Sequence, residues 1–492
     1  MYLCGENMLL KKIFFLSLLC ITATKLFTQP PTKFYTRFGG NGYDVGYDVK
    51  QTLDKGYIIT GSTSSFGQGN TDMYLVKLDS MGNKVFETTF GNYNNDIGKS
   101  VIQLIDSSYI MVGYTNSTGF GGYDIFLVKA DKYGALVWQK TIGGGDWDFA
   151  HSLQQTTDGG FIIGGTTYSY GHGNADGYVV KTDANGNISW SKTFGGANDD
   201  EFKSVIQTMD GGYALTGYTK SYNDIDSGDV WVFKLNNIGD STWCKFYGGG
   251  KEDFGNQIIE HPSGELYIAG GTTSFGVNIM NGYALKLDNN GNYLFQRLDN
   301  TSTSFAFFNS AVVSKKNPNT MTFIAKETFS GYNLQFKMLE MNVNLNYING
   351  ADYGSVMADE TYKIITTKDK GYAVIGMTYG YGAVNTDTYF IKLDSNLIGG
   401  NTSIVSVNEY LKNNINIKIY PNPASKELFI EFKQHINLKE LKFFNIVGHE
   451  VYIYNDANII SDNKLILDVE DFKSGIYFLK YNNHIEKVSI IH

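Results

Sequence analysis

The stretch Asp72-Met-Tyr-Leu-Val-Lys-Leu-Asp79 constrains this chain more than any other feature, because it recurs. It returns as Asp124-Ile-Phe-Leu-Val-Lys-Ala-Asp131, Asp176-Gly-Tyr-Val-Val-Lys-Thr-Asp183 and Asp229-Val-Trp-Val-Phe-Lys-Leu-Asn236. Asn281-Gly-Tyr-Ala-Leu-Lys-Leu-Asp288, the degenerate Phe336-Lys-Met-Leu-Glu-Met-Asn342 and Asp387-Thr-Tyr-Phe-Ile-Lys-Leu-Asp394 complete the series. The closing residues are spaced by 52, 52, 53, 52, 54 and 52 positions, which makes seven copies of one unit. A fixed period of this length signals a solenoid, a propeller or an array.

Each unit holds four strand-like runs. Ser100-Val-Ile-Gln103, Tyr57-Ile-Ile-Thr60, the Tyr-Leu-Val-Lys run and Val137-Trp-Gln-Lys-Thr-Ile142 typify them. Aromatic and β-branched residues alternate with polar ones, the pattern of half-buried strands. Asp158-Gly159-Gly160 and Asp183-Ala-Asn-Gly-Asn187 supply tight hairpins, where glycine takes a positive φ. Four antiparallel strands in about 52 residues make one propeller blade. An orphan fourth strand, Lys33-Phe-Tyr-Thr-Arg-Phe38, precedes the first unit, and the seventh unit has no fourth strand of its own. The expectation is an all-β fold: a seven-bladed β-propeller over residues 33–400, closed by the N-terminal strand pairing onto the last blade. Blade 6 departs from the rest, with Lys315-Lys-Asn-Pro-Asn319 in place of the Asp-Gly-Gly turn and Glu340 in place of lysine.

Lys11-Lys12 followed by the apolar run 13–23 has the length of a signal-peptide core, so residues 1–29 are expected to form a cleaved leader. The run is too short to span a bilayer, and no transmembrane segment is expected in the mature chain. Of three cysteines, Cys4 and Cys20 lie in the leader, which leaves Cys244 and no intramolecular disulfide. A formal charge of −9 argues against a nucleic-acid partner.

Topology places the second-to-third loops and the blade connections on one face, and both are longer than the hairpins opposite. Binding is expected there. An aspartate opens the first strand in nearly every blade, and an aromatic follows a Gly-x-Thr in the loop: Phe66, Phe120, Tyr168 with Tyr170, Tyr222, Phe275, and Tyr379 with Tyr381. Carboxylates hold cations and aromatics stack on sugars. A feature repeated in nearly every blade, however, answers first to architecture, with the aspartate capping a turn and the aromatic wedged between blades. The asymmetric set belongs to blade 3, where Asp146, Trp147, His151, Tyr170 and His172 fall together beside Asp148, that blade's copy of the repeated aspartate and a candidate binding residue with them. His151 occupies the place of Lys99 and Lys203, which reads as a solvated position. Asp224, Asp226 and Asp229 have oxygen ligands at calcium-loop spacing but lack the downstream bidentate glutamate, so Ca2+ is the one cofactor the sequence suggests. No catalytic motif is present, and the chain reads as a non-enzyme.

Residues 401–417 are polar and asparagine-rich, a linker. Residues 418–492 then change composition to short alternating strands, the mark of a small β-sandwich. Tyr420-Pro421-Asn422-Pro423, the aromatic-Asn-x-x-Gly hairpin ending at Gly448, and Ser474-Gly475-Ile-Tyr477 resemble the type A C-terminal sorting domain of the type IX secretion system of Bacteroidetes. That resemblance implies passage through the periplasm, recognition by the type IX machinery, and release or attachment at the outer-membrane surface. The propeller units resemble secreted bacterial repeats of the SBBP kind, a likeness that carries no activity. The functional expectation is a secreted or cell-surface binding and adhesion propeller with a glycan or surface-protein ligand. The alternatives are a secreted hydrolase or lyase acting on the long-loop face, and a purely structural surface spacer.

Overall fold

The alternating runs do pair as strands. A computed structural model describes residues 33–222, 227–276, 279–299, 305–328, 334–354, 357–395, 418–432, 441–445, 457–461, 463–470, 472–481 and 484–492, and every regular element in it is a strand. The expected leader and linker lie outside the described residues, as do Asp224, Asp226 and Gly448.

Blade 1 is a four-stranded antiparallel sheet of Asp44–Gln51, Tyr57–Thr63, Asp72–Leu78 and Lys84–Phe90, in sequence order. Blades 2 to 6 repeat it, with first strands Asp96–Gln103, Asp148–Gln155, Asp200–Gln207, Asp253–Glu260 and Phe305–Val313. Blade 7 contains Asp359–Thr366, Tyr372–Thr378 and Asp387–Leu393, and its fourth strand is Phe34–Phe38. Phe34 lies opposite Lys392, Thr36 opposite Phe390 and Phe38 opposite Thr388. Lys33 pairs with Asp394 at 3.0 Å, and the Arg37 guanidinium meets the buried Asp387 carboxylate. Blades 7 and 1 share one apolar core, in which Val49, Tyr57 and Val76 join Ala373, Ile375 and Phe390. The expected closure holds.

The first strands form the inner edge. They bond to one another from blade to blade: Ser100 Oγ donates to Asp48 at 2.9 Å, Asn256 Nδ2 to the Phe308 carbonyl at 3.0 Å, and the Ile364 N–H to Ser310 Oγ at 3.3 Å. The fourth strands form the outer edge and are half-buried to exposed.

The recurring lysine of the third strand now has a reason. It reaches back to the acid in the first hairpin of its own blade. Lys77–Asp54 and Lys181–Asp158 are 2.9 Å apart, Lys234–Asp210 2.7 Å, Lys286–Glu265 3.0 Å and Lys392–Asp369 2.8 Å, with Lys129–Asp106 looser at 3.7 Å. Lys181 is buried and also donates to the Thr182 carbonyl at 2.8 Å, so the ammonium is satisfied where it is desolvated. Blade 6 lost both partners together: its hairpin has no Asp-Gly-Gly, and Glu340 replaces the lysine.

Every first strand carries a β-bulge, at its fourth residue in six blades and its fifth in blade 6; it lies between Gly98 and Ser100 in blade 2 and between Ala150 and Ser152 in blade 3. The bulge brings the strand against the glycine of Gly-x-Thr. A Cβ on Gly113 would sit 1.8 Å from the Ile97 carbonyl oxygen, and one on Gly217 1.7 Å from that of Glu201. At these positions a Cβ has no room, whereas blade 6, which departs from the pattern, carries Ala325 at the equivalent place.

The C-terminal module is two small sheets. One orders Lys418–Tyr420, Glu427–Glu431, Lys464–Asp468 and Ala457–Ser461; the other orders Leu441–Asn445, Gly475–Tyr481 and His484–Ile490. Leu428, Ile430, Phe443, Leu465, Leu479 and Val488 form its core. The edge strand stops at Pro421, as proline requires. Asn422 Oδ1 accepts the Ser489 N–H at 2.8 Å, and the Ala424 N–H bonds the Ser489 carbonyl at 2.8 Å, which ties the proline motif to the last strand. Tyr477 stacks on Phe443 at 5.5 Å in the core, and Gly475 opens its strand.

Candidate functional site

What repeats in this chain builds the ring, and what varies lines its axis. The bulge residues of the seven first strands are Tyr47, Lys99, His151, Lys203, Asn256, Asn309 and Tyr362. They touch across blade boundaries. The Tyr47 and Tyr362 rings are 4.9 Å apart, and the Lys99 ammonium lies 3.5 Å above the Tyr47 ring.

Between blades 2, 3 and 4 this inner wall opens into a cavity of about 240 Å³ lined by Tyr114, Phe149, His151, Thr166, Tyr168, Ala175, Glu201 and Tyr218. His151 Nε2 is 2.9 Å from Glu201 Oε1, and Lys203 pairs with the same oxygen. Burial pushes the His151 imidazole below its ordinary value, so it is neutral near pH 7 and donates Nε2–H to Glu201. Burial alone would raise the Glu201 carboxyl, but Lys203 and the His151 hydrogen bond bring it down to about 2. From this floor an aromatic cluster climbs to the rim. Phe149 packs against Tyr114 at 4.9 Å and Tyr123 at 5.6 Å, and Trp147 against Tyr168 at 6.0 Å. Trp147 is 48% exposed and Tyr168 41%, so both offer ring faces to solvent. Apolar walls with a few convergent polar groups are the usual chemistry of a ligand pocket.

The blade 3 set expected from sequence divides in two. His151 is on the cavity floor, and the reading of its position as solvated is corrected: it faces the axis, enclosed by protein. Trp147 is not part of the cavity lining but packs on Phe149 and Tyr168, which are. Tyr170 lies elsewhere, in a groove of about 480 Å³ toward the outer strands with Phe120, where its hydroxyl donates to the Gly143 carbonyl at 2.7 Å. His172 is exposed on the loop, its N–H bonded to Asp176. Asp148 is fully buried, accepting the Gly144 N–H at 2.8 Å and the Ser169 hydroxyl at 2.7 Å. Asp44, Asp96, Asp200 and Asp253 make the same clasp. The loop aromatics follow a common rule as well: Phe66, Tyr170, Tyr222, Phe275 and Tyr381 each pack on the third-strand aromatic of their blade, Tyr74, Tyr178, Trp231, Tyr283 and Tyr389. Among the described residues no cluster of three or more metal-ligating side chains occurs; of the expected calcium set only Asp229 is described. Sequence reasoning missed Tyr114, Phe149, Glu201 and Tyr218. Comparing the seven copies position by position, and marking where they disagree, would have found them.

Comparison with known proteins identifies the C-terminal module. Residues 418–491 match the family described as the secretion system C-terminal sorting domain. The module is a type A sorting domain of type IX secretion. It implies interaction with that machinery and export to the cell surface or the extracellular space. Among the described residues no helix is long and apolar enough to cross a membrane. The chain is 26% identical over 217 residues to the regulatory protein FlaEY of Caulobacter vibrioides, a match covering 39% of this chain. The chain spans 22% of that protein's length. Solved structures with a similar course include the Pan2 WD40 domain of Neurospora crassa, at 9% identity and TM-score 0.45 over 74% of this chain and 96% of that one. The polysaccharide lyase Uly1 aligns at 11% identity and TM-score 0.41 over 71% and 90%. At these scores the seven-bladed architecture rests on the sheets themselves.

Proposed function

We propose that this exported propeller binds a carbohydrate at the axial mouth formed by blades 2, 3 and 4. The leader over 1–29, the ring over 33–400, the linker over 401–417 and the sorting module over 418–492 then serve to deliver and display that mouth. The observation that carries the reading is the run of rings from half-exposed Trp147 and Tyr168 down to the His151–Glu201 pair. Sugar rings present C–H faces that stack on aromatics and hydroxyls that bond to a neutral imidazole, a carboxylate and phenols. The test is a glycan screen on the mature protein, with and without calcium. Saturable binding is expected, weakened about tenfold or more by Trp147→Ala and little changed by His172→Ala, in keeping with a few buried or stacking anchors carrying most affinity. If no glycan binds, the reading fails.

Catalysis is the second reading, and one arrangement favours it: a neutral imidazole oriented by an ionised carboxylate is the geometry of a general base. It predicts glycan turnover lost in His151→Ala while binding persists. A binding module predicts no turnover in either protein.

A further inference from the structure

The charges around the axis do not balance. Lys50, Lys99, Lys203, Lys326 and Lys363 bring five ammonium groups to the inner wall of the ring, against the three carboxylates of Asp48, Glu201 and Glu360. The carboxylates are already taken. Lys50 holds Asp48 at 2.8 Å, Lys203 and His151 hold Glu201, and Lys326 holds Glu360 at 2.9 Å. Two cations are left over. The Lys99 ammonium makes no ion pair among the described residues and rests on the Tyr47 ring, with the Tyr114 ring of the cavity wall 5.8 Å away. Lys363 makes no ion pair among the described residues, and the carboxylate that acts on it, Asp48, is already held by Lys50. Both lysines keep some solvent contact yet are surrounded by protein, as expected for side chains reached along a channel. Burial, with a second lysine nearby, brings each down to about 8, so both remain mostly charged at neutral pH, while the carboxylates that act on them, Glu201 on Lys99 and Asp48 on Lys363, are already paired with Lys203 and Lys50. The chain as a whole is acidic, at −9, so this excess is a local feature of the axis.

We infer that the axial mouth selects acidic polysaccharides, seating a carboxylate or sulfate borne on the sugar against Lys99 while the neighbouring sugar ring stacks on the Trp147–Tyr168 rim. The inference deepens the carbohydrate reading and rests on it. An enclosed, low-dielectric wall strengthens each ion pair and focuses the field into the opening. A bound anion also gives Lys99 the partner the protein withholds.

The experiment is calorimetric titration of the mature protein with four probes: a uronate oligosaccharide, the same oligosaccharide after carboxyl reduction, a sulfated oligosaccharide and inorganic sulfate. An acidic sugar is expected to bind at least about tenfold tighter than the carboxyl-reduced one. The difference should shrink in high salt, vanish in Lys99→Gln and persist in Lys84→Gln, an outer-strand control. Equal binding of acidic and reduced sugars, unchanged by Lys99→Gln, overturns the inference and leaves the carbohydrate reading standing. Binding of inorganic sulfate without any sugar overturns it in favour of a free-anion site. Binding of none of the four removes both readings.

Discussion

A chain lacking residues 33–38 is expected to lose most of its stability while keeping every residue of the other six blades. The closing strand buries Phe38 in the core shared by blades 7 and 1, and sets Phe34 against Phe390 at 5.7 Å. Burial of such a side chain is worth roughly 2 kcal/mol. Its ladder with Asp387–Leu393 adds about 1 kcal/mol per hydrogen bond. Arg37 is the counter-ion of Asp387, whose carboxyl burial already raises it; without the guanidinium a buried charge stands alone, at a cost of about 3 kcal/mol. The sum is comparable to the whole stability of an ordinary domain. Deletion also exposes two sheet edges, an invitation to aggregate. Differential scanning calorimetry should show a melting temperature lower by more than about 10 °C. Arg37→Met with Phe38→Ala should give a smaller drop in the same direction, and an unchanged melting temperature in both proteins would remove the closure from the account.

Truncation before Ile419 should abolish export and trap the propeller in the periplasm. The lost segment is a folded unit with its own core of Leu428, Ile430, Phe443, Leu465 and Leu479, and its sequence matches a secretion sorting domain. The proline motif and the chain end are tied to each other through Asn422 and Ala424, so the recognised surface depends on the fold. Tyr477→Ala, which empties the stack on Phe443, should cost about 3 kcal/mol or more and reduce export of the full chain. Fractionation of producing cells gives the readout. Normal appearance of the truncated protein in the medium would contradict the sorting role.

The architecture was legible because a propeller is periodic. Seven closing residues, an orphan strand at one end and a missing one at the other specify a ring that only needs to be joined. Two relations were less legible because they are long-range. The Lys181–Asp158 pair spans two strands and a hairpin, and the glycine of Gly-x-Thr answers to a bulge on the neighbouring strand. The site was the least legible part. Attention to repeated features led to Asp148 and the loop aromatics, which the structure uses as clasps and wedges. The axis is lined where the copies differ, and His151 on a first-strand bulge and Tyr170 in the second-to-third loop fall in different cavities although both belong to blade 3. Sequence spacing places residues in a blade; the bulge decides which of them face the axis.

Hydrogen exchange of the intact mature protein tests the closed ring most directly. Amides in Phe34–Phe38 and in Asp387–Leu393 should be protected together, to the level of the equivalent strands Ile188–Phe194 and Asp176–Thr182 in blade 3. Rapid exchange of Phe34–Phe38, with Asp387–Leu393 exchanging like an open edge, would show that the N-terminal strand does not seal blade 7.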